Sequence, residues 1–206
     1  MNYDPEYHHR RSIRLPGWDY ASAGAYFVTI CTHERLCLFG EVADGQMRLN
    51  PWGEIVQEEW FRSADIRQEI VLHRDEFVIM PNHVHGIVWI VPNGDRGDRG
   101  NGRGDRDGGR GDRPGAPTSA ITPIPPGPAR RSLASFLAGF KSVVTKRINT
   151  LREAPGVPVW QRNYYEHIIR DERALGYIRE YILNNPARWE TDENNPALSS
   201  RRDHRR

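Results

Sequence analysis

Two histidines separated by one apolar residue are the residues of this chain best suited to chemistry. His83 and His85 lie in the run VIMPNHVHGIVWIV, whose composition is typical of a buried β-strand. Because successive side chains of a strand alternate between its faces, both imidazoles should point to the same side. Two convergent imidazole nitrogens form half of a metal site. A metal would also satisfy ring nitrogens that are costly to bury alone.

A second candidate group lies in the segment YILNNP, far along the chain from the histidines. Tyr181 and Asn185 are four residues apart, so a helix places the phenol and the amide on one face. A phenol, whose ordinary pKa is near 10, is a poor nucleophile at neutral pH and needs an activated target. Metal ligands together with a presented tyrosine indicate a metal-assisted enzyme in which the phenolic oxygen attacks a phosphate.

The apolar periodicities predict an α+β fold that positions these groups. Strands are predicted over 25–32, 36–42, 46–50, 70–80 and 83–91, with a short extended segment over 159–170. Helices are predicted from Pro51 onward, over 132–153 and over 171–185. The economical arrangement is a ferredoxin-like antiparallel sheet backed by helices on one face.

The composition predicts one catalytic domain with an insertion and two tails. The domain comprises residues 25–91 and 132–190, after a basic and aromatic N-terminal arm over 1–24 and before a basic C-terminal tail over 191–206. The insertion over 92–131 is rich in Gly, Arg, Asp and Pro. It contains too little apolar surface to offset the entropy of ordering, so it is predicted to be disordered.

Length, charge and cysteine content narrow the class of protein. The chain has 206 residues, a formal net charge of +2 and two cysteines. No leader, bilayer-spanning run or disulfide framework is apparent, so a cytoplasmic protein without a membrane partner is expected. Cys31, His33 and Cys37 raise the alternative of a zinc site, but their spacing is unusual and a fourth ligand is not evident.

The N-terminal arm combines arginines with aromatic residues. Arg10, Arg11 and Arg14 could bind backbone phosphates, while Trp18 and Tyr20 could stack on unpaired bases. The alternative is an exposed arm whose Trp18 docks on the protein core.

Seven stretches of the chain, taken in order, resemble those of the REP-associated tyrosine transposases. These are single-tyrosine HUH endonucleases related to the transposases of the simplest insertion sequences. The stretches are RSIRL at 11–15, WDY at 18–20, GAYFVTIC at 24–31, VIMPNHVH at 78–85, WQR at 160–162, EHIIR at 166–170 and YILNNP at 181–186. The resemblance therefore spans most of the chain and leaves the insertion outside it.

The resemblance implies an HUH transposase-like fold and a DNA strand transferase acting on single-stranded or hairpin, REP-like DNA. Tyr181 then corresponds to the nucleophile, which forms a covalent 5′-phosphotyrosine intermediate. His83 and His85 correspond to the metal ligands, and Asn185 to a third, polar ligand of a Mg²⁺ or Mn²⁺ ion. Relatives include both monomers and homodimers.

Other assignments stay open at this point. Tyr177 lies one turn before Tyr181 and is the main rival nucleophile, with Tyr164 and Tyr165 as weaker ones. A non-catalytic hairpin-DNA-binding protein of the same fold is the alternative function. A histidine-triad phosphoesterase is disfavoured, because Ile87 occupies the position where the third histidine is required.

Overall fold

The computed structural model describes residues 18–92, 129 and 131–198. The arginines of the N-terminal arm, most of the predicted insertion and the last eight residues of the tail lie outside the described residues. In the described part, no helix is both long enough and apolar enough to cross a membrane.

Strands and helices alternate irregularly along the described part of the chain. The strands are β1 (Gly24–Cys31), β2 (Gly40–Ala43), β3 (Gln46–Leu49), β4 (Ile70–Val71), β5 (Phe77–Met80), β6 (His83–Ile90) and β7 (Tyr165–Ile169). The helices are α1 (Pro51–Ile66), α2 (Leu133–Leu151) and α3 (Glu172–Asn184). Short 3-10 helices occur at His33–Arg35, Arg74–Glu76 and Pro186–Thr191. The strand predicted over 70–80 is thus two short strands separated by a helical turn.

The main sheet is antiparallel and has β6 and β1 at its centre. Its order is β4-β6-β1-β7, and β5 pairs with the other half of the β6 edge. The hairpin β2-β3 forms a separate two-stranded sheet. In the central pair, Thr29 lies opposite His85 and Cys31 opposite His83. The predicted α+β class with an antiparallel sheet is confirmed.

Helices cover both faces of this sheet, so the expectation of helices on one face is wrong. Tyr26 and Val28 pack with α1 and α2 in the larger core cluster. Phe27 and Ile87 pack with α3 in a second cluster. The reason is that β1 and β6 carry apolar side chains at nearly every position, and a strand that is apolar on both sides must be covered on both sides.

The glycine after the two histidines has a packing role. A Cβ atom at Gly86 would lie 2.6 Å from Cζ2 of Trp60 and 3.1 Å from the Phe77 ring. Trp60 itself stacks on Phe77 with ring centroids 4.5 Å apart. The absence of a side chain therefore lets α1 approach the strand that carries the histidines, from the face opposite to them.

Helix α3 is fixed to the other face by its cap, its apolar stripe and an ion pair with a buried carboxylate. Asp171 caps it by accepting a hydrogen bond from the Ala174 backbone N–H at 2.8 Å. The residues Leu175, Ile178 and Ile182 pack on the sheet. Arg179 donates to the buried carboxylate of Glu76 at 2.6 Å. The apolar stripe and the ion pair together fix which face α3 presents to the sheet.

Candidate active site

The structure brings His83 and His85 together on the α3 face of the sheet. Their Nε2 atoms are 3.0 Å apart. The two residues are 0% and 2% exposed, respectively. Two ring nitrogens thus converge in a place where water does not reach them freely.

Asn82 fixes the tautomer of His83. Its side-chain amide donates to the backbone carbonyl oxygens of Arg35 at 3.0 Å and Asn194 at 2.8 Å. The remaining Oδ1 of Asn82 lies 2.8 Å from Nδ1 of His83 and can only accept, so Nδ1 carries the proton. Nε2 of neutral His83 therefore presents a free lone pair.

Thr29 is the corresponding partner of His85, with Oγ1 at 2.8 Å from Nδ1. A hydroxyl group can donate or accept. In the metal-free protein, protonated Nε2 of His85 can donate to Nε2 of His83. The Thr29 hydroxyl then donates to Nδ1 of His85. When the Thr29 hydroxyl instead accepts from Nδ1, both Nε2 lone pairs become available to a cation.

Both imidazoles are held neutral by their surroundings. Burial lowers the pKa of His83 to about 4. Burial, followed by repulsion from the charged form of His83, holds the pKa of His85 well below its usual range. Neutral imidazole is the form that binds metal ions, so the pair is ready to do so at neutral pH.

We expect the metal-free protein to lose stability as the pH falls from about 6.5 to about 4. In the unfolded chain His83 has its ordinary pKa of 6.5 and binds a proton over this window. In the folded protein it stays neutral down to a pH of about 4. Burial therefore leaves the stability unchanged above this window, where His83 is neutral in both states, and lowers it progressively as the unfolded chain takes up the proton. The loss from His83 alone should be on the order of 3 kcal/mol.

Urea denaturation at several pH values across this window, with a chelator present, measures the effect. The His83→Gln variant cannot gain the proton and should show a shallower pH dependence of the free energy of unfolding. Equal pH dependence in the two proteins would contradict the assignment.

Tyr181 meets the histidine pair from α3. Its hydroxyl oxygen lies 3.3 Å from Nε2 of His85. Its ring packs edge-on against Phe27 with centroids 6.1 Å apart. Burial and the charge of Asp192 raise the pKa of Tyr181, against a hydrogen bond from the Asn185 side chain that lowers it. The phenol is therefore protonated at neutral pH and held against the imidazoles.

The rival tyrosines are placed differently. Tyr177 is 73% exposed, whereas Tyr181 is half-buried against His85. Tyr164 and Tyr165 line the cavity in front of the site. The rotation of α3 thus favours Tyr181 over Tyr177 as the residue that meets the histidines.

Asn185 lies one turn beyond Tyr181, at the end of α3, and is 2% exposed. Its Oδ1 atom is buried and has no hydrogen-bond partner among the described residues. An orphaned buried amide oxygen is costly. A bound cation would satisfy it, which fits the role of a third ligand.

Asp192 joins the site and was missed by the sequence analysis. One donor atom from each of His83, His85 and Asp192 lies within 4.8 Å of the other two. Residue 192 falls in the segment predicted to be a C-terminal tail, yet the described part of that segment contacts the site. No motif marks Asp192 in the sequence; its only signal is its closeness to the YILNNP segment.

A cavity of about 490 Å³ opens in front of the histidine and tyrosine side chains. Its lining consists of Phe27, Thr29, Cys31, Arg35, His85, Gln161, Asn163, Tyr164, Tyr165, Tyr181, Glu193 and Asn194. Arg35 and Glu193 were not among the site residues expected from the sequence.

The described residues of the predicted DNA-binding arm, Trp18 and Tyr20, do not lie at this site. Trp18 donates to the Tyr26 hydroxyl at 3.3 Å, and the Tyr20 ring lies 5.9 Å from the Tyr26 ring. Tyr26 belongs to the core on the opposite face of the sheet from Tyr181. Tyr20 thus packs against the core, whereas Trp18 hydrogen-bonds to a core tyrosine and stays 39% exposed. Arg10, Arg11 and Arg14 lie outside the described residues.

The zinc alternative gains no support from the described residues. Within residues 18–92 and 131–198, the group of His, Cys, Asp and Glu side chains close enough to share a metal is His83, His85 and Asp192. Cys31 and Cys37 are both free thiols.

Two solved structures show a weak similarity to this chain. A REP-associated tyrosine transposase bound to a REP hairpin is 15% identical with a TM-score of 0.48, over 85% of this chain and 73% of that chain. A proposed transposase from Deinococcus radiodurans R1 is 17% identical with a TM-score of 0.39, over 83% and 95% of the two chains. Both scores are too low to establish a shared fold or function.

One curated protein is similar over nearly its whole length, although no model of a known protein family matches this chain. It is an uncharacterised protein of Haemophilus influenzae strain Rd, 39% identical over 191 residues. The match covers 93% of this chain and 96% of the relative. The chain therefore belongs to the same protein family as this uncharacterised Haemophilus influenzae protein.

Proposed function

We propose that this protein is a DNA strand transferase that cleaves single-stranded or hairpin DNA through attack by Tyr181 on a backbone phosphate. The observation that carries the proposal is the Tyr181 hydroxyl 3.3 Å from Nε2 of His85, which is itself 3.0 Å from Nε2 of His83. A phenol thus lies against a pair of buried, neutral imidazoles, and both Tyr181 and His85 line an open cavity. The resemblance of seven sequence stretches to REP-associated tyrosine transposases supplies the class of substrate.

The residues at the site fit a divalent cation, Mg²⁺ or Mn²⁺. His83 and His85 would hold it through their Nε2 atoms and Asn185 through the amide oxygen that has no partner among the described residues. When bound, such an ion polarises the phosphate and offsets the negative charge that builds up on its oxygens. A mixed set of nitrogen and oxygen ligands suits Mn²⁺ better than Mg²⁺.

The proposed step is an exchange of one phosphoester for another. The Tyr181 oxygen forms a bond to phosphorus, and the bond from phosphorus to the 3′ oxygen of the preceding nucleotide breaks. The proton of the phenol ends on that 3′ oxygen, so the products are a 5′-phosphotyrosine and a free 3′-hydroxyl group. Because the phosphoester energy is kept, attack by a 3′-hydroxyl group can rejoin strands without a nucleotide cofactor.

The position of Tyr181 favours unpaired DNA. Tyr181 lies on a helix that is anchored by the Arg179–Glu76 ion pair, so the phosphate must enter the cavity between α3 and the sheet. At about 490 Å³ the cavity has the size of a small-molecule site, so we expect it to take a single unpaired nucleotide more readily than a paired backbone. The formal net charge of only +2 also argues against a protein that depends on bulk affinity for duplex DNA.

Covalent trapping on randomised oligonucleotides tests the function and does not require that the target sequence be known. We expect a denaturant-stable adduct with single strands and hairpins, and none above background with a blunt duplex of the same sequences. A label at the 3′ end should enter the adduct, whereas a label at the 5′ end should leave with the released strand. This polarity follows from a 5′-phosphotyrosine bond.

Three other results of this experiment would point to a different function or direction of attack. Equal cutting of the duplex would favour an ordinary nuclease. Retention of hairpins in a gel shift with no adduct under any metal condition would favour a non-catalytic hairpin-binding protein. Entry of the 5′ label into the adduct would contradict the proposed direction of attack.

A further inference from the structure

The segment that follows α3 folds back onto the strand that carries the histidines. The 3-10 helix Pro186–Thr191 reverses the chain, and Asp192 caps its end. Asn194 is 6% exposed, and its carbonyl oxygen accepts the 2.8 Å hydrogen bond from the Asn82 side chain. Because Asn82 also binds Nδ1 of His83, one buried amide ties this loop to a histidine of the site.

Two further contacts fix the loop beside the site. The backbone N–H of Asn194 donates to Oδ1 of Asp192 at 2.6 Å, which orients the carboxylate. Arg35, which follows β1, donates to the carbonyl oxygen of Glu193 at 3.2 Å. The loop is thus held through its backbone, and the Asp192 side chain is placed within 4.8 Å of the histidine nitrogens.

We propose that Asp192 is a further ligand of the divalent cation, joining His83, His85 and Asn185. This inference rests on the proposed function and deepens it, because it adds a carboxylate to a ligand set that the sequence presents as neutral. The loop after the tyrosine helix is then part of the catalytic site.

The charge of the cation needs a compensating group that the other ligands do not provide. Two imidazoles and one amide bring no charge, so a divalent ion held by them alone would keep its full charge in a largely buried place. The carboxylate of Asp192 offsets half of it and offers an oxygen, the donor that Mg²⁺ and Mn²⁺ prefer. A carboxylate has two oxygens, so the hydrogen bond from Asn194 leaves capacity for a metal bond.

Binding of Mn²⁺ to the full-length protein, followed by electron paramagnetic resonance of the free ion, tests the role of Asp192 independently of DNA. The variant Asp192→Asn keeps an oxygen that can accept from Asn194 but removes the charge. We expect it to weaken Mn²⁺ binding by at least about tenfold, equivalent to about 1.4 kcal/mol. Asp192→Glu, which retains the carboxylate, should recover part of the affinity.

Glu190→Gln is the matched control. Glu190 is exposed, lies two residues before Asp192 and loses the same charge on substitution. We expect its Mn²⁺ affinity to stay within about twofold of the wild type, since exposed charges are screened. Thermal unfolding of the metal-free proteins should show that all three variants are folded.

The outcomes separate this inference from the proposed function. Wild-type Mn²⁺ affinity in Asp192→Asn, together with loss of binding in His85→Ala, would overturn the role of Asp192 and leave the histidine site standing. Unchanged affinity combined with loss of the DNA adduct would show that Asp192 acts on the tyrosine and not on the metal. No Mn²⁺ binding by the wild-type protein would overturn both proposals.

Discussion

Replacing Tyr181 by Phe should reduce the yield of covalent protein–DNA adduct by at least about a thousandfold while leaving hairpin binding within about twofold. The substitution removes only the hydroxyl oxygen, which is 3.3 Å from Nε2 of His85. The ring keeps its edge-on contact with Phe27, so the fold and the cavity wall are preserved. Adduct formation on labelled single strands, with a gel shift on the same DNA, measures the two quantities separately.

Tyr177→Phe is the matched control for this experiment. It removes the same atom one helical turn earlier, from a side chain that is 73% exposed. It should retain most of the adduct yield. If the two variants exchanged their outcomes, the nucleophile would be wrongly assigned by one turn of α3.

His83→Ala and His85→Ala should each abolish divalent-metal-dependent cleavage, with a loss of about a thousandfold or more. Each histidine offers one of the two Nε2 atoms that lie 3.0 Å apart, and neither nitrogen has a substitute nearby on β6. A chelator should have the same effect on the wild-type protein. Asn185→Ala should cost less, because a water molecule can replace a neutral amide oxygen.

Initial cleavage rates with Mn²⁺, with Mg²⁺ and with chelator check this prediction. His73→Ala removes an exposed histidine that stacks edge-on against Trp89, outside the site, and should cleave at the wild-type rate. Cleavage by His83→Ala or His85→Ala at the wild-type rate in the presence of chelator would contradict the metal-assisted mechanism.

The convergence of His83 and His85 could be predicted from sequence, because it depends only on the alternation of side chains along a strand. The antiparallel sheet and the helix over most of 171–185 were likewise predictable from periodicity and end signals. The predicted arrangement, with helices on one face of the sheet, was wrong. A run as uniformly apolar as VIMPNHVHGIVWIV requires cover on both faces, and only the packing of α1, α2 and α3 shows which helix covers which.

The choice between Tyr177 and Tyr181 depended on how α3 is rotated against the sheet. Each step of four residues turns the side chain by about 40° around a helix of 3.6 residues per turn. Along 177, 181 and 185 this rotation takes the side chain from 73% exposed, through half-buried, to 2% exposed. The sequence placed the three residues on one side of the helix, and the packing of α3 decided which phenol meets the histidines.

By itself the sequence determined the local chemistry of this protein: two imidazoles on one face of a strand, and a phenol and an amide on one face of a helix. Those relations follow from backbone geometry over a few residues. The tertiary structure alone decided that Trp18 and Tyr20 dock away from Tyr181, and that Asp192 returns to the histidines. These placements join residues that are distant in the chain, and the contacts that fix them, such as Asn82 with the Asn194 carbonyl, leave no periodic pattern in the sequence.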